Sequence, residues 1–325
     1  MLRNIEEYWG MFYICIYFMK LSIVIPTRGD QNMKNIIACL QEQTFKDFEV
    51  HFILDRTIMN YELRIADCGL STLDGRFHFI TNLNSSFRTQ RDDKEPMIGG
   101  NASTLRNYWI KAAKGEFILL MDDDERFEDD YLKKNIEFRE KYRKIIKKDF
   151  VLTPTLMYRK TGHVQNYGFS HFDFRLSRPI PLQLHKERDY IQMYSGNSLF
   201  APAHIFQQIL FDEQLDFVYE DLDFTYRIHR AGYPIIVLRD LKICHMERDK
   251  TKLEEARVGN EYAAYRKSKH RIIFVRKYGS LLDKIKFYAF GFLGQPVWLI
   301  GKVLLYGKNR PRWRIIRAII RGTFS

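Results

Sequence analysis

A chain of 325 residues can bury a substantial core, either as one large α/β domain with an appendage or as two smaller domains. Its 46% hydrophobic and 28% charged residues exclude extended disorder, and 15% aromatic residues point to large buried surfaces or an interfacial role. The net charge of +12 is concentrated at one end: residues 266–325 carry 15 Lys and Arg against one acid, Asp283, a net +14 that leaves −2 for the first 265. Such a tail suits an anionic membrane surface or nucleic acid, and charge alone does not separate the two.

The first 20 residues, MLRNIEEYWGMFYICIYFMK, hold an apolar run at 11–19 that is too short to span a bilayer and lacks a small-residue cleavage site. Residues 1–18 are therefore read as an N-terminal arm or as a segment preceding a true start at Met19. The four cysteines, Cys15, Cys39, Cys68 and Cys244, lie far apart without a CxxC pair, so reduced thiols are expected, with no zinc site or disulfide framework.

Residues 21–26 (LSIVIP) form a short β-branched run closed by Pro-Thr-Arg-Gly, the pattern of a strand buried on both faces. Residues 32–43 have helical periodicity through Met33, Ile36, Ile37 and Leu40, and residues 48–54 (FEVHFIL) return to strand character before Asp55. A helix near 59–67, a strand at 77–80, a polar loop through 100, a helix at 102–113 and a strand at 116–121 continue the alternation of a doubly wound sheet. A charged helix is predicted at 129–147, strands are placed only loosely over 150–200, and SGNSLFAPAHIFQQI reads as a strand followed by a helix opened by Pro202. A helix at 220–231 ends at Gly232, and a strand follows at 235–238.

The run DDDERFEDD follows a buried strand, at the carboxyl end where open α/β sheets bind ligands. Asp122, Asp123 and Asp124 crowd like charges there, at a cost that a cation offsets. A hard divalent ion, Mn²⁺ or Mg²⁺, prefers carboxylate oxygens and keeps positions open for phosphate oxygens, whereas a solvated acidic loop is the reading without chemistry. Glu220 and Asp221 open a helix, where the macrodipole favours ionised carboxylates able to act as a general base, or simply to cap it. His245, several residues beyond the strand at 235–238, offers an imidazole to the metal or packs on the surface. Arg106 and Asn107 either position substrate or cap their helix, and Asp55 either meets a nucleobase or sits in a turn.

Taken in order, LSIVIPTRGD, FILD, STLRNYWIKAAKGEFILLMDDD, SGNSLFAPAHIF, FDEQLDFVYEDLDFTYRIHRAGYPI and ICH resemble the family 2 glycosyltransferases of GT-A fold, over about residues 19–246. The resemblance implies a Rossmann-like, mainly parallel central sheet with helices on both faces, over 19–250, followed by a helical extension at 251–325. It also implies nucleotide and donor contacts from Pro26, Thr27, Arg28, Asp55, Arg106, Asn107, Asp122 and Asp123, with Asp122, Asp124 and His245 around the metal. Asp221 is implied as the base of an inverting single displacement, with Glu220 orienting acceptor or base. Two departures, the long charged stretch 85–100 and DDDE in place of the usual acidic motif, leave the donor open, a UDP-sugar before a dTDP- or GDP-sugar.

In the tail, residues 287–306 are apolar but interrupted by Gly291, Gly294, Pro296, Gly301 and Lys302, which predicts a surface-lying or re-entrant hairpin more than a spanning helix. RPRWRIIRAIIRG sets Arg314, Arg317 and Arg321 on one stripe and Trp313, Ile316 and Ile320 on another, a basic amphipathic helix of the interfacial kind. With Trp298, these residues predict a peripheral protein at the cytoplasmic face of an anionic membrane, using a glycan or lipid-linked acceptor. Packing of this helix on the domain or on a second copy of the chain is the other reading. A nucleotidyltransferase is disfavoured because no Gly-rich triphosphate loop is evident, and a nucleic-acid-binding protein because the first 265 residues carry almost no net charge.

Overall fold

The protein is described by a computed structural model over residues 20–27, 31–54, 75–81, 102–158, 161–183, 186–195, 198–245, 252–307 and 311–325. Residues 1–18, Arg28, Asp55, the helix predicted near 59–67 and the loop 85–100 lie outside the described residues.

The first half runs β1 (Leu21–Thr27), α1 (Gln31–Gln41), β2 (Phe48–Leu54), β3 (Phe77–Thr81), α2 (Ala102–Ala112), β4 (Phe117–Leu120), β5 (Glu125–Arg126) and α3 (Tyr131–Ile146). Strands β3, β2, β1 and β4 lie side by side and parallel, Leu21 facing Phe48 on one flank and Phe117 on the other. The continuous apolar runs explain this half. Leu21, Ile23, Ile25, Phe117 and Leu119 face α1 and α3, while Val24, Ile118 and Leu120 face Trp109 and Ile110 of α2.

The loosely predicted region resolves into β6 (Val151–Tyr158), β7 (Val164–Asn166), β8 (Phe169–Asp173), β9 (Arg178–Pro181), β10 (Arg188–Ile191) and β11 (Leu199–Pro202). Then come α4 (Ala203–Gln208), α5 (Glu220–Arg230) and β12 (Ile235–His245). The large sheet continues from β4 through β11, β6 and β12 to β10. β11 is antiparallel to both its neighbours, β6 and β12 are parallel, and β10 is antiparallel at the edge. Gly232 ends α5 with φ +89°, as the glycine after that helix predicted.

Three details differ from the sequence reading. Pro202 both ends β11 and caps the start of α4, one position ahead of the first helical turn where the sequence reading set it. β12 does not stop at 238: after an irregularity between Leu238 and Lys242 it pairs with β6 as far as His245, because Leu241 and Ile243 continue its buried face. His245 therefore belongs to the strand.

The third lies in the extension, which comprises α6 (Lys252–Glu255), α7 (Glu261–Tyr278), α8 (Leu281–Tyr306) and α9 (Arg312–Thr323). The predicted hairpin at 287–306 is absent: α8 is one continuous helix, with a π-helical turn at Phe287–Gly291, long and apolar enough to cross a membrane by length and composition. Pro296 cannot donate to the carbonyl of Phe292, and the buried guanidinium of Arg271 donates to that oxygen instead, at 2.7 Å. In α9, Ile315, Ile316 and Ile319 pack against Leu299, Val303 and Ala264, so this helix spends most of its apolar stripe inside the fold. Trp313, Ile320 and Phe324 stay exposed, as do Leu293, Val297, Trp298, Leu304 and Leu305 of α8.

Candidate functional site

The site is assembled at the carboxyl ends of β1, β4 and β12. The chain leaving β4 turns through Asp122, Asp123 and Asp124 and is pinned by β5, whose Glu125 pairs with His245 and Arg126 with Cys244 in antiparallel register. That pairing sets His245 Nε2 3.3 Å from Asp124 Oδ1, with both side chains mostly buried. From β1, Thr27 Oγ1 donates to Asp123 Oδ2 at 2.6 Å, which anchors Asp123 to the end of that strand. Pro26 lies beside Thr27 on β1.

Arg106 joins the two acidic clusters. It is 5% exposed on α2, stacks 5.3 Å from the ring of Phe211, donates from Nη2 to Asp122 Oδ1 at 3.0 Å, and brings Nη1 to 3.8 Å from Asp221 Oδ1. Burial works against its charge, but the carboxylates of Asp122, Asp221 and Glu220 more than offset it and raise its pKa. Glu220 is partly exposed, with Oε2 sealed from solvent; burial first, then the charge of Asp221, push its pKa up to about 8, against a lowering by Arg106. Near neutrality burial and the neighbouring charge therefore favour the protonated, neutral form of Glu220.

Asn107 has a different task from the one predicted. It is buried and turned from the clusters: its Nδ2 donates to Phe211 O at 2.9 Å and Glu213 Oε1 at 3.0 Å, and its Oδ1 accepts from Phe211 N at 2.7 Å. It holds the loop whose Phe211 ring carries Arg106. Glu125 is a further buried acid at the site, beyond the residues the sequence points to. It is 2% exposed, accepts from Ser198 Oγ at 2.6 Å, and its pKa lies well above the usual range because of burial and then the charge of Asp122. Its one sequence signal is the fourth acid of the DDDE run. Trp298 and Trp313 are exposed, and Lys302 sits 4.3 Å over the Trp298 ring. Arg317 is exposed, Arg314 reaches Glu261 at 3.9 Å, and Arg321 lies 4.9 Å over Tyr265.

Among the described residues no three His, Cys, Asp or Glu side chains form a ready-made metal cage. The donors do fit a divalent ion in part: Asp124 and His245 present a carboxylate oxygen and an imidazole nitrogen together, with Asp122 two residues before Asp124 in the chain. Mn²⁺ and Mg²⁺ accept such donors and fill remaining positions with water or phosphate oxygens.

No curated protein matched the chain. Among solved structures, the chain is similar to residues 1–349 of S. aureus TarS in complex with UDP-GlcNAc, at 19% identity over 94% of this chain and 82% of that one, with a TM-score of 0.55. It is also similar to the mannosyltransferase PcManGT from Pyrobaculum calidifontis in complex with GDP-Man and Mn²⁺, at 11% identity over 94% and 86% of the two chains, with a TM-score of 0.55. These similarities establish a GT-A fold. A model of the family described as "Glycosyltransferase like family 2" matches residues 94–271, from ahead of α2 into α7, more than half of the chain. The chain belongs to this family and is a glycosyltransferase.

Proposed function

We propose that the protein transfers a sugar, with inversion, from a nucleotide-sugar donor to a hydroxyl of a glycan or lipid-linked acceptor at the cytoplasmic face of a membrane. The observation that carries this reading is Arg106, which ties Asp122 on the donor side to Asp221 on the acceptor side. A buried cation between two carboxylates keeps them in fixed relation, as a displacement at one carbon requires of its donor-holding and base groups.

In this reading Asp221 Oδ accepts the proton of the acceptor hydroxyl as that oxygen attacks the anomeric carbon. Glu220, protonated at neutral pH, leaves the charge on its neighbour and can donate a hydrogen bond to the acceptor. Thr27 orients Asp123 toward the nucleotide, and Pro26 shapes the same strand end. Asp124 and His245, with Asp122, would hold Mn²⁺ or Mg²⁺, which when bound supplies positive charge against the departing diphosphate. UDP-sugars are the first donors to test, since TarS is seen with UDP-GlcNAc, and GDP-sugars follow from PcManGT with GDP-Man.

The exposed apolar side chains of α8, the cations Lys302 and Arg317, and exposed Trp298 and Trp313 support attachment to an anionic bilayer surface. The catalytic reading is tested by hydrolysis of a panel of UDP-, GDP- and dTDP-sugars with Mn²⁺. One donor is expected to be consumed by the wild type and not by Asp221→Asn, which still binds it. Equal turnover by Asp221→Asn would remove Asp221 as base.

A further inference from the structure

The turn that delivers Glu220 and Asp221 is conformationally unusual. Val218 and Tyr219, immediately before the pair, both adopt left-handed backbone conformations, with φ +59° and +83°. A β-branched residue rarely takes this region, and two consecutive residues hold it only where surrounding contacts fix them.

Those contacts come from the C-terminal extension. His270 of α7, fully buried, places Nδ1 2.9 Å from Phe217 O and 3.0 Å from Val218 O. Both partners are carbonyls, so Nδ1 carries the hydrogen. Asp216, at the start of the turn, is held by Arg266 at 2.8 Å and Tyr262 at 3.2 Å, from the same helix. Tyr219 Oη donates to Ser177 O at 2.9 Å, and Gln295 of α8 donates to the same oxygen at 3.4 Å. Ser177, itself left-handed with φ +52°, donates from Oγ to Arg271 O at 3.4 Å.

Arg271 closes the set. Its guanidinium donates to Gly291 O at 3.1 Å and Phe292 O at 2.7 Å, the second being the carbonyl stranded by Pro296. A Cβ at Gly291 would collide with the carbonyl of Arg175, so the close approach of α8 to the loop between β8 and β9 at this point requires a glycine. The apolar helix is thus keyed through Arg271, Gln295 and Ser177 to the turn that carries the acidic pair.

We infer that Tyr219, His270 and Arg271 are positioning residues for Asp221, and that the extension completes the active site in addition to offering a membrane-facing surface. The inference rests on Asp221 acting as the base. It differs from a purely structural role in what it moves: the turnover step with donor affinity unchanged.

The experiment uses the full chain with the nucleotide sugar that the wild type hydrolyses best. Tyr219→Phe removes one hydroxyl; His270→Leu removes the ring N–H donor; His270→Asn keeps an N–H donor near the same place. Expected results are a roughly ten- to hundredfold fall in kcat for Tyr219→Phe and His270→Leu, donor KM within about twofold, and substantial recovery in His270→Asn. Gln295→Leu, on the apolar helix, should lower kcat in the same sense. Hydrogen exchange should quicken at residues 216–222 in Tyr219→Phe and His270→Leu and stay unchanged at 117–126. Unchanged kcat together with unchanged exchange at 216–222 would overturn the inference, as would equal loss in His270→Asn and His270→Leu. Retained turnover in Asp221→Asn would instead remove the base assignment, while the exchange measurement still decides whether the extension holds the turn.

Discussion

Replacing Glu220 with Gln isolates one titration. Burial, then the neighbouring charge of Asp221, raise its pKa from 4.5 to about 8. Below pH 4.5 the carboxyl is protonated in both folded and unfolded chains, and its contribution is fully present. As pH rises, the unfolded chain loses a proton that the folded one keeps, so stability falls until pH passes about 8 and then levels. The full shift corresponds to about 5 kcal/mol at 1.36 kcal/mol per pKa unit. Partial exposure and relaxation around a coupled pair reduce this to about 2–3 kcal/mol. Gln cannot ionise, so Glu220→Gln should gain that much relative to wild type between pH 5 and pH 8.5. With unfolding entropy of about 0.7 kcal/mol/K for a chain of this length, the melting temperatures should separate by a further 3–4 °C, roughly, over that interval. Thermal unfolding of both proteins at the two pH values measures the change in gap, from which the groups not coupled to Glu220 cancel. Parallel curves would show that Glu220 is not held protonated by its surroundings.

Arg106→Met should strand the Asp122 and Asp221 carboxylates and cost about 3–5 kcal/mol in urea unfolding, a loss that vanishes only if the guanidinium bridge is absent in solution. Asn107→Ala leaves the Phe211 N–H unmet in a buried loop and should cost about 1–3 kcal/mol by the same measurement, with nucleotide binding less affected than stability. Asp124→Ala and His245→Ala should each weaken Mn²⁺ binding in calorimetry by at least about tenfold; affinity equal to wild type would move the metal elsewhere. Trp298→Glu combined with Leu305→Glu should release the protein from vesicles rich in anionic lipid, and unchanged sedimentation with them would assign the exposed face of α8 another partner.

Much of the N-terminal half is legible in the chain. FILL is apolar throughout and LSIVIP at every position but Ser22, which is what a parallel strand covered on both faces requires, and the helices between them repeat at the expected spacing. Asp122, Asp123 and Asp124 follow such a strand directly, so their arrival at its carboxyl end needed no tertiary information. The 150–200 region was harder because β11 and β10 are short antiparallel strands whose partners lie far away in the chain.

The tail shows how local pattern misleads. Glycines and Pro296 predict a broken α8, but a distant arginine satisfies the carbonyl that proline strands, and the helix continues. The stripe of isoleucines in α9 has the periodicity of a membrane-seeking helix, and the same periodicity serves equally for packing on α7 and α8.

The strand and helix alternation, the placement of the acidic run at a strand end and the opening of α5 by Glu220 and Asp221 can all be read from the chain, because each depends on contiguous residues. That Asp124 faces His245, that Arg106 bridges the clusters, that Glu125 is sealed beneath them and that α7 and α8 contact the turn before Asp221 emerges from the folded arrangement alone. These depend on register and packing between segments remote in the chain, and hydrophobic periodicity carries no information about which remote segment a polar side chain will meet.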